Sequence, residues 1–148
     1  MIGYVDSSAI LRPLLEPELN GTLSDLALTA LFTSRLSAID CRRTIDRIRL
    51  VGGLNDEQVV LIESKLRAME GSLTWLTLGD DVLQLAGARS DRVLRTLDAI
   101  HVATAQVLRE AIGVSDTILF LTHDRQQATA ARALGFQIAG VDLSAGPT

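Results

Sequence analysis

The chain has 148 residues, of which 47% are hydrophobic and 3% aromatic, so a single domain with an aliphatic core is expected. No apolar run is long enough to span a bilayer and no signal-peptide layout is present, so neither a membrane anchor nor secretion is expected. The net charge of −4 argues against a general polyanion binder, and the single Cys41 favours a reducing, cytoplasmic setting without disulfides.

The first element predicted along the chain is a short buried strand over residues 2–5, which ends at Asp6. A helix is predicted to start at about Ser8 and to break near Pro13, because proline disfavours the helical conformation in the residue before it. Three further elements are predicted before the first long helix: a loop over residues 16–22, a short helix over residues 23–28 and a strand over residues 30–33.

The middle of the chain is predicted to be mainly helical. One helix opens at Ser37, runs to about Arg49 and ends at the glycine pair 52–53. Asn55 is the predicted N-cap of the next helix, with Gln58 at the capping-box position. The elements predicted after the glycine pair are a helix over residues 56–69, an alternating strand over residues 73–78 and a helix over residues 81–88 capped by Asp80.

Residues 96–105 are apolar or small and are predicted to form a buried helix that carries one acid, Asp98. On this helix Asp98 shares a face with Val102. A lone buried carboxylate is costly, so it must be neutral, paired or bound to a cation. The alternative is that Thr96 is the N-cap and Asp98 is a first-turn acid favoured by the helix dipole.

The last third of the chain is predicted to add two strands and a helix, after the Asp98 helix, which runs to about Glu110 and is stopped by Gly113. The elements are a strand over residues 117–122, a helix that follows Asp124 and runs to residue 134, and a strand over residues 136–139. Residues 1–140 are therefore expected to form the domain, and residues 141–148 a short, frayed tail.

Apolar strands that alternate with helices predict an α/β fold with a mainly parallel sheet covered by helices on both faces. In such sheets ligands bind outside the carboxyl ends of the strands. Asp6 follows the first strand directly, and Asp124 lies just past the strand over residues 117–122. These two acids are therefore expected on the same edge of the sheet.

Four acids are candidates for a shared site: Asp6, Asp40, Asp98 and Asp124. Each has a structural alternative, since Asp6 and Asp124 suit turns or N-caps, and Asp40 is spaced to close a capping box with Ser37. Together in one cleft they would repel each other, and a divalent cation would relieve that repulsion. Oxygen ligands suit Mg²⁺ or Mn²⁺, and such a site would activate water against a phosphodiester.

The remaining reactive side chains are weaker candidates. His101 is expected to be a packed or hydrogen-bonded helix residue, and His123 to point opposite to Asp124 if the strand before it continues. Cys41 is expected to be a small core residue, and the sequence has no glycine-rich phosphate loop or nucleophile elbow. Thirteen of the fourteen basic residues are Arg, which suits phosphate contacts but also fits codon bias in a GC-rich genome.

Four ordered segments resemble the PIN domain, and together with the chain length they resemble the VapC toxins of bacterial toxin–antitoxin pairs. The segments are residues 4–10, 36–43, 97–105 and 121–125. The resemblance implies a compact α/β fold and a Mg²⁺- or Mn²⁺-dependent endoribonuclease, in many members a homodimer. It also implies an antitoxin, of the VapB kind, whose carboxyl-terminal segment covers the site.

The resemblance also assigns site residues by position. It implies that Asp6, Asp98 and Asp124 hold the metal, and that Thr122 assists by holding a water. The second acidic position is usually Glu in the family and is Asp40 here, which has one methylene less reach. Asp40 is therefore expected among the catalytic acids, whereas its direct coordination of the metal is left open.

The leading hypothesis is thus a ribonuclease toxin that acts on RNA, with transfer and ribosomal RNA as the expected substrates. Arginines around the cleft would hold the RNA backbone, with Arg42, Arg43 and Arg125 as the candidates. The alternative is a non-catalytic PIN-fold module that binds RNA or protein. A phosphatase with Asp6 as nucleophile is disfavoured, because no second Asp lies two residues further on.

Overall fold

The computed structural model describes residues 1–17, 26–113 and 118–144. The strands in these ranges are β1 (Ile2–Val5), β2 (Ala30–Ser34), β3 (Thr74–Leu76), β4 (Ile118–Leu121) and β5 (Gln137–Ala139). The helices are α1 (Ser7–Leu15), α2 (Arg35–Leu50), α3 (Asp56–Glu70), α4 (Asp80–Ala86), α5 (Thr96–Ile112) and α6 (Arg125–Ala133). No helix among them is long and apolar enough to cross a membrane.

The five strands form one sheet in the order β3-β2-β1-β4-β5, and every neighbouring pair is parallel. The predicted α/β fold with a parallel sheet is therefore confirmed. The chain moves outward from β1 through β2 to β3, and then returns to add β4 and β5 on the other side of β1. The strand order thus reverses between β1 and β4, which is where open α/β sheets place their ligands.

The sheet separates two apolar layers because successive side chains of a strand point to opposite faces. Leu119 and Leu121 of β4 pack with residues of α1, α2 and α3 on one face. Ile118 and Phe120 pack with α5 and α6 residues on the other. Burial on both faces explains why β1 and β4 are apolar throughout, as predicted.

Several predicted helix caps are present. Asn55 and Gln58 form the reciprocal capping box, with both bonds at 2.9 Å. Asp6 caps α1 by accepting from the amide of Ala9, and Asp124 caps α6 by accepting from the amide of Gln127. The N-cap alternative weighed for Asp6 and Asp124 is therefore confirmed, and it does not conflict with a place in a cleft.

The predicted break near Pro13 is wrong. Helix α1 continues through Pro13 to Leu15, and the amide of Glu16 still donates to the carbonyl of Arg12 at 2.8 Å. Leu11 and Leu14, on either side of the proline, are both buried in the core. Burial of these two side chains favours helix here and outweighs the local effect of the proline.

Three helix starts differ from the prediction. Helix α2 begins at Arg35 with Ser34 as its N-cap, because the chain passes from β2 into the helix without a loop. Ser37 lies inside α2, where its hydroxyl is 2.7 Å from that of Thr33, so Asp40 does not close a capping box. The other two shifts are of one residue each: Gly79 replaces Asp80 as N-cap of α4, and Arg95 replaces Thr96 as N-cap of α5.

Some predictions fall at the limits of the described residues. The first half of the short helix predicted over residues 23–28 lies outside them, and residues 26–28 are irregular. The strand over residues 73–78 is shortened to Thr74–Leu76, the part that pairs with β2. Thr117 and residues 145–148 also lie outside the described residues, so the boundary of the carboxyl-terminal tail stays a prediction.

Candidate functional site

A cavity of about 520 Å³ opens at the carboxyl edge of the sheet, beside the ends of β1 and β4. Its walls include all four candidate acids, which come from four separate parts of the chain: Asp6, Asp40, Asp98 and Asp124. Thr122, the fifth candidate, lies behind the wall and is fully buried. The structure thus brings the sequence-predicted residues to one place.

Asp6 is the most enclosed of the acids, with 4% of its surface exposed. Its Oδ1 accepts from the amide of Ala9 at 2.9 Å and from the hydroxyl of Ser8 at 2.7 Å. Its Oδ2 accepts from the hydroxyl of Thr122 at 2.7 Å. Burial raises the pKa of Asp6, while His101, when it is protonated, and these hydrogen bonds act in the opposite direction.

Thr122 joins two of the acids through one hydroxyl group. It donates to Asp6 Oδ2 at 2.7 Å and accepts from the backbone amide of Asp124 at 3.0 Å. Ser8 forms a second link, since its hydroxyl donates to Asp6 and accepts from the amide of His123 at 2.8 Å. The turn after β4 is therefore fastened to the start of α1, and the positions of Asp6 and Asp124 are fixed relative to each other.

Asp40 reaches the cavity from α2. Its Oδ2 accepts a hydrogen bond from the hydroxyl of Ser7, the first residue of α1. Asp40 is half-buried, so its carboxyl group keeps access to the cavity. The side chain of Asp40 is thus held in place by a hydroxyl donor on another helix. Ser7 is 33 residues away in the sequence, so no local spacing predicts this contact.

Asp98 and Asp124 share one cationic partner. The guanidinium of Arg95 donates from Nε to Asp98 Oδ2 at 2.9 Å and from Nη2 to Asp124 Oδ2 at 2.7 Å. The side chain of Arg95 is 70% exposed, whereas those of Asp98 and Asp124 are 11% and 26% exposed. Hydrogen bonding to Asp98 and the charges of Asp98 and Asp124 raise the pKa of Arg95.

His101 lines the cavity but is buried, and it is a packed, hydrogen-bonded helix residue as predicted. Its Nδ1 lies 2.8 Å from the hydroxyl of Tyr4. Burial raises the pKa of Tyr4 and lowers the pKa of His101, which favours the neutral form of both rings. The other ring nitrogen of His101, Nε2, has no hydrogen-bond partner among the described residues.

His123 lines the cavity, contrary to the expectation that it points away from Asp124. That expectation assumed a continuing strand, but β4 ends at Leu121. The Nδ1 of His123 lies 2.5 Å from the carbonyl oxygen of Gly140, which anchors the ring beside β5. Burial is the main cause that lowers the pKa of His123.

Cys41 is enclosed in the apolar layer of α1, α2 and α3, as predicted for a small core residue. Burial raises the pKa of its thiol to about 12, with a smaller contribution from the charge of Asp40. At neutral pH the group therefore stays a thiol and is a poor nucleophile.

The cleft arginines differ from those expected. Arg42 pairs with Glu70 at 2.7 Å, Arg43 pairs with Asp46 at 3.4 Å, and neither lines the cavity. Arg125 donates to the carbonyl oxygen of Asp142 at 2.9 Å, also away from the cavity wall. The arginines that do line it are Arg12, Arg47 and Arg95.

Only one of these cleft arginines had a local signal in the sequence. Arg95 lies three residues before Asp98, a spacing that brings two helical side chains together. Arg12 and Arg47 reach the cavity from α1 and α2, so their position depends on how these helices pack. Sequence periodicity does not give that packing.

The cavity offers oxygen donors for a hard divalent cation. Within the described ranges no three His, Cys, Asp or Glu side chains stand close enough together to form a ready-made metal cage. Two carboxylates, those of Asp98 and Asp124, nevertheless converge on one cation, the guanidinium of Arg95. Carboxylate and hydroxyl oxygens are the donors that Mg²⁺ and Mn²⁺ prefer, so the residues fit such an ion once their side chains turn toward it.

Comparisons with known proteins point in the same direction as this geometry. The family model described as PIN domain matches residues 3–133, a span that contains all four acids and Thr122. The chain is also similar to Ribonuclease VapC46 of Mycobacterium tuberculosis. The two are 34% identical over 136 residues, which cover 91% of this chain and 94% of that protein.

Solved structures share the fold. The crystal structure of PAE2754 from Pyrobaculum aerophilum superposes with a TM-score of 0.64 and 18% identity, over 95% of this chain and 84% of that chain. The structure of VapBC2 from Rickettsia felis bound to a DNA fragment from its promoter gives a TM-score of 0.66 and 9% identity, over 94% and 98%. At such identities the likeness concerns the fold alone.

Proposed function

The chain belongs to the PIN domain family, and from that premise we propose that it is an endoribonuclease, the toxin of a toxin–antitoxin pair. The relative that is 34% identical to it is named a ribonuclease, and one structural neighbour is a toxin–antitoxin complex. We further propose that the nuclease depends on Mg²⁺ or Mn²⁺ and hydrolyses RNA phosphodiesters with activated water.

One observation carries the proposal. Four acids from separate parts of the chain, Asp6, Asp40, Asp98 and Asp124, line one cavity at the point where the strand order reverses. Grouping acids at low exposure costs folding free energy, so the arrangement needs a functional reason. Hydrolysis of a phosphodiester supplies that reason, because it requires cations to be held beside a water molecule.

Asp6, Asp98 and Asp124 are the residues that would hold the divalent ion. A divalent ion bound there supplies a Lewis acid, which polarises water and offsets the charge of the phosphate. Asp6 and Asp124 are fixed for this task by Thr122, whose hydroxyl donates to the first and accepts from the backbone of the second. Thr122 therefore acts as a positioning residue.

Hydrolysis forms a bond between a water oxygen and phosphorus and breaks a P–O ester bond. One proton leaves the water, and one proton reaches the departing ribose oxygen. Asp40 is half-buried in the cavity wall and oriented by Ser7, which suits it to accept the proton of the water. Arg12 and Arg47 at the cavity wall are suited to bind the RNA phosphates, because one guanidinium group can donate two parallel hydrogen bonds to two oxygens of a phosphate.

The proposed partners follow from the same surface. An antitoxin of the VapB kind would cover the cavity and place an Arg or Lys against the acids, since a guanidinium matches carboxylates in geometry and charge. Transfer or ribosomal RNA remains the proposed substrate class, and a homodimer the proposed assembly. The alternative function, a non-catalytic RNA- or protein-binding module, leaves the clustered acids without a purpose.

The test is a cleavage assay on transfer and ribosomal RNAs, with Mg²⁺, with Mn²⁺ and with chelator. We expect wild-type protein to cleave only with metal, and Asp98→Asn to remain folded but inactive, because Asn keeps the shape and loses the charge. Asp46→Asn is the matched control, since Asp46 lies on α2, pairs with Arg43 and Arg49, and does not line the cavity. Full activity of folded Asp98→Asn would exclude the nuclease site.

A further inference from the structure

Arg95 lies across two carboxylates of the candidate site. Its Nε and Nη2 donate to Asp98 and Asp124 at 2.9 and 2.7 Å, both times to Oδ2. The other oxygen of Asp124 caps α6 by accepting from the amide of Gln127 at 2.9 Å. Both oxygens of Asp124 are thus engaged, and one of them is engaged by a cation that belongs to the chain itself.

A divalent ion held by Asp98 and Asp124 would compete with the bridging guanidinium. The other oxygen of Asp124 caps α6, so the ion would need the oxygen that Arg95 holds, and two cations a few ångströms apart repel strongly in a partly desolvated cleft. Since the ion has the larger charge, it would displace the guanidinium at sufficient concentration. In the metal-free protein, Arg95 therefore occupies the carboxylates for which the ion would compete.

Arg95 can leave the carboxylates at little cost to the fold. Its side chain is 70% exposed, and ion pairs with an exposed partner contribute little to stability. Although Arg95 is the N-cap residue of α5, its side chain makes no capping hydrogen bond. Its departure therefore leaves the end of α5 unchanged.

A displaced Arg95 stays at the cavity, because its backbone adjoins α5 and its side chain lines the wall. Arg12 and Arg47 line the same cavity, so a displaced Arg95 would be the third guanidinium there. Phosphate oxygens are the natural new partner of such a group, since guanidinium binds them in the same two-pronged way as carboxylates.

We propose that Arg95 is a phosphate-binding residue of the cleft, which the metal-free chain holds on Asp98 and Asp124 and which a divalent ion releases to RNA. The first half of the proposal, the metal half, is that a divalent ion replaces Arg95 on the two carboxylates. The second half, the RNA half, is that the released Arg95 binds RNA phosphate, and only this half rests on the proposed nuclease function. The proposal has a distinctive signature: removal of the Arg95 charge strengthens metal binding and weakens RNA binding.

The metal half is tested by calorimetric titration of Mn²⁺ into wild-type protein, Arg95→Gln, Arg95→Lys and Arg47→Gln. Arg47 is the matched control, because it lines the same cavity from α2 and is not bonded to the candidate acids. We expect Arg95→Gln to tighten the Mn²⁺ dissociation constant about fivefold to tenfold and Arg47→Gln less than about twofold. Arg95→Lys should lie between, since Lys keeps the charge without the two-pronged geometry.

The RNA half uses a fluorescein-labelled 2′-O-methyl oligoribonucleotide and its anisotropy, so that no cleavage is needed for the readout. Arg95→Gln should lose more affinity in saturating Mn²⁺ than in chelator, because only the metal frees Arg95 for the phosphate. Arg47→Gln should lose the same factor in both conditions. Circular dichroism of each variant confirms that the fold is intact.

The proposal is overturned if Arg95→Gln binds Mn²⁺ no more tightly than Arg47→Gln, or if neither wild type nor Arg95→Gln binds Mn²⁺. It is also overturned if metal makes no difference to the RNA affinity that Arg95→Gln loses. Neither titration reads cleavage. A protein that fails to cut RNA but shows the opposed shifts therefore contradicts the proposed nuclease function while supporting the role of Arg95.

Discussion

The four acids of the cleft differ in what surrounds each carboxylate. Asp6 is nearly enclosed and accepts only from neutral donors, an amide and two hydroxyls. Asp98 and Asp124 face the guanidinium of Arg95 instead. The cost of holding a negative charge without a metal therefore falls mainly on Asp6, whose pKa burial raises.

This asymmetry predicts opposite effects of two matched substitutions on thermal stability. In chelator at pH 7, Asp6→Asn should raise the melting temperature by about 2–4 °C, the shift that ~1 kcal/mol produces in a domain of this size. Asn keeps an oxygen for the amide of Ala9 and removes the buried charge. Asp98→Asn should not raise it, because the ion pair with Arg95 is lost as well.

The measurement is differential scanning calorimetry of the three proteins, first in chelator and then with Mn²⁺. Metal should raise the melting temperature of the wild type more than that of either variant, since a ligand of the folded state stabilises it. If Asp6→Asn melted below wild type in chelator and metal shifted none of the three, a shared metal site would be excluded.

Asp40 gives a second prediction at this scale. Its carboxylate accepts a hydrogen bond from Ser7 and does not close the capping box with Ser37 that the sequence suggested. The structural role weighed for Asp40 is therefore absent. We expect Asp40→Ala to reduce metal-dependent cleavage at least about 100-fold, the usual effect of losing a general base. Ser7→Ala removes the same hydrogen bond but leaves the carboxylate.

Ser7→Ala is therefore the control, and it should reduce cleavage far less than Asp40→Ala. The free energy of unfolding, measured in urea, should fall by about 1 kcal/mol in both variants, because each loses one partly buried hydrogen bond. Wild-type cleavage rates for Asp40→Ala at saturating metal would remove Asp40 from the catalytic acids.

At the scale of elements, the carboxyl ends of three neighbouring strands hold the site together. Gly140 follows β5 with a φ of +94°, and a Cβ added there would lie 2.5 Å from the carbonyl oxygen of Thr122. The hydroxyl of the same Thr122 donates to Asp6. The end of β5 therefore sets the position of a residue that orients an acid on β1.

Gly140→Ala should thus impair both stability and cleavage. Gly52→Ala is the matched control, since Gly52 also has a positive φ of +80° but nothing within 4 Å of an added Cβ. Both variants incur the strain of a left-handed residue, about 1 kcal/mol, and Gly140→Ala should incur about 1–3 kcal/mol more from the contact. Urea unfolding gives the two values.

Cleavage by Gly140→Ala should also fall, whereas cleavage by Gly52→Ala should stay at the wild-type rate, because Gly52 lies at the far end of α2, after its last residue. Equal effects of the two substitutions would show that the contact between Gly140 and Thr122 is unimportant.

For the whole molecule, two buried groups make stability depend on pH in opposite directions. The pKa of Asp6 is raised above its ordinary 3.8, so the stability present below that value is lost as pH rises through the higher folded pKa. The pKa of His101 is lowered below its ordinary 6.5, so stability is lost as pH falls below 6.5 and the unfolded chain takes up protons.

Asp6→Asn should therefore remove the Asp6 contribution and leave those of His101 and His123, whose pKa values burial lowers. Between pH 4 and pH 7 in chelator, its free energy of unfolding should rise relative to that of the wild type, because only the wild type loses the Asp6 contribution over this range. Urea unfolding at a series of pH values measures the difference. A difference that is constant with pH would mean that Asp6 has an ordinary pKa in the folded protein.

The sequence by itself determined the features that depend on neighbouring residues. Apolar runs predicted the buried strands, and the Asn55–Gln58 capping box and Gly113 predicted helix ends. The parallel sheet followed from the alternation of strands and helices, and with it the common edge of Asp6 and Asp124. Cap geometry and side-chain alternation are short-range, so one stretch of sequence suffices to specify them.

Only the tertiary structure decided which groups meet across the cleft. No local sequence pattern predicted that α1 continues through Pro13. The same is true of two contacts between residues far apart in the chain, the hydrogen bond from Ser7 to Asp40 and the ion pair of Arg95 with Asp124. Packing of α1 and α2 against the sheet sets the first two, and the meeting of α5 with the end of β4 sets the third. Such contacts depend on how whole elements pack, since burial of apolar surface outweighs local preference.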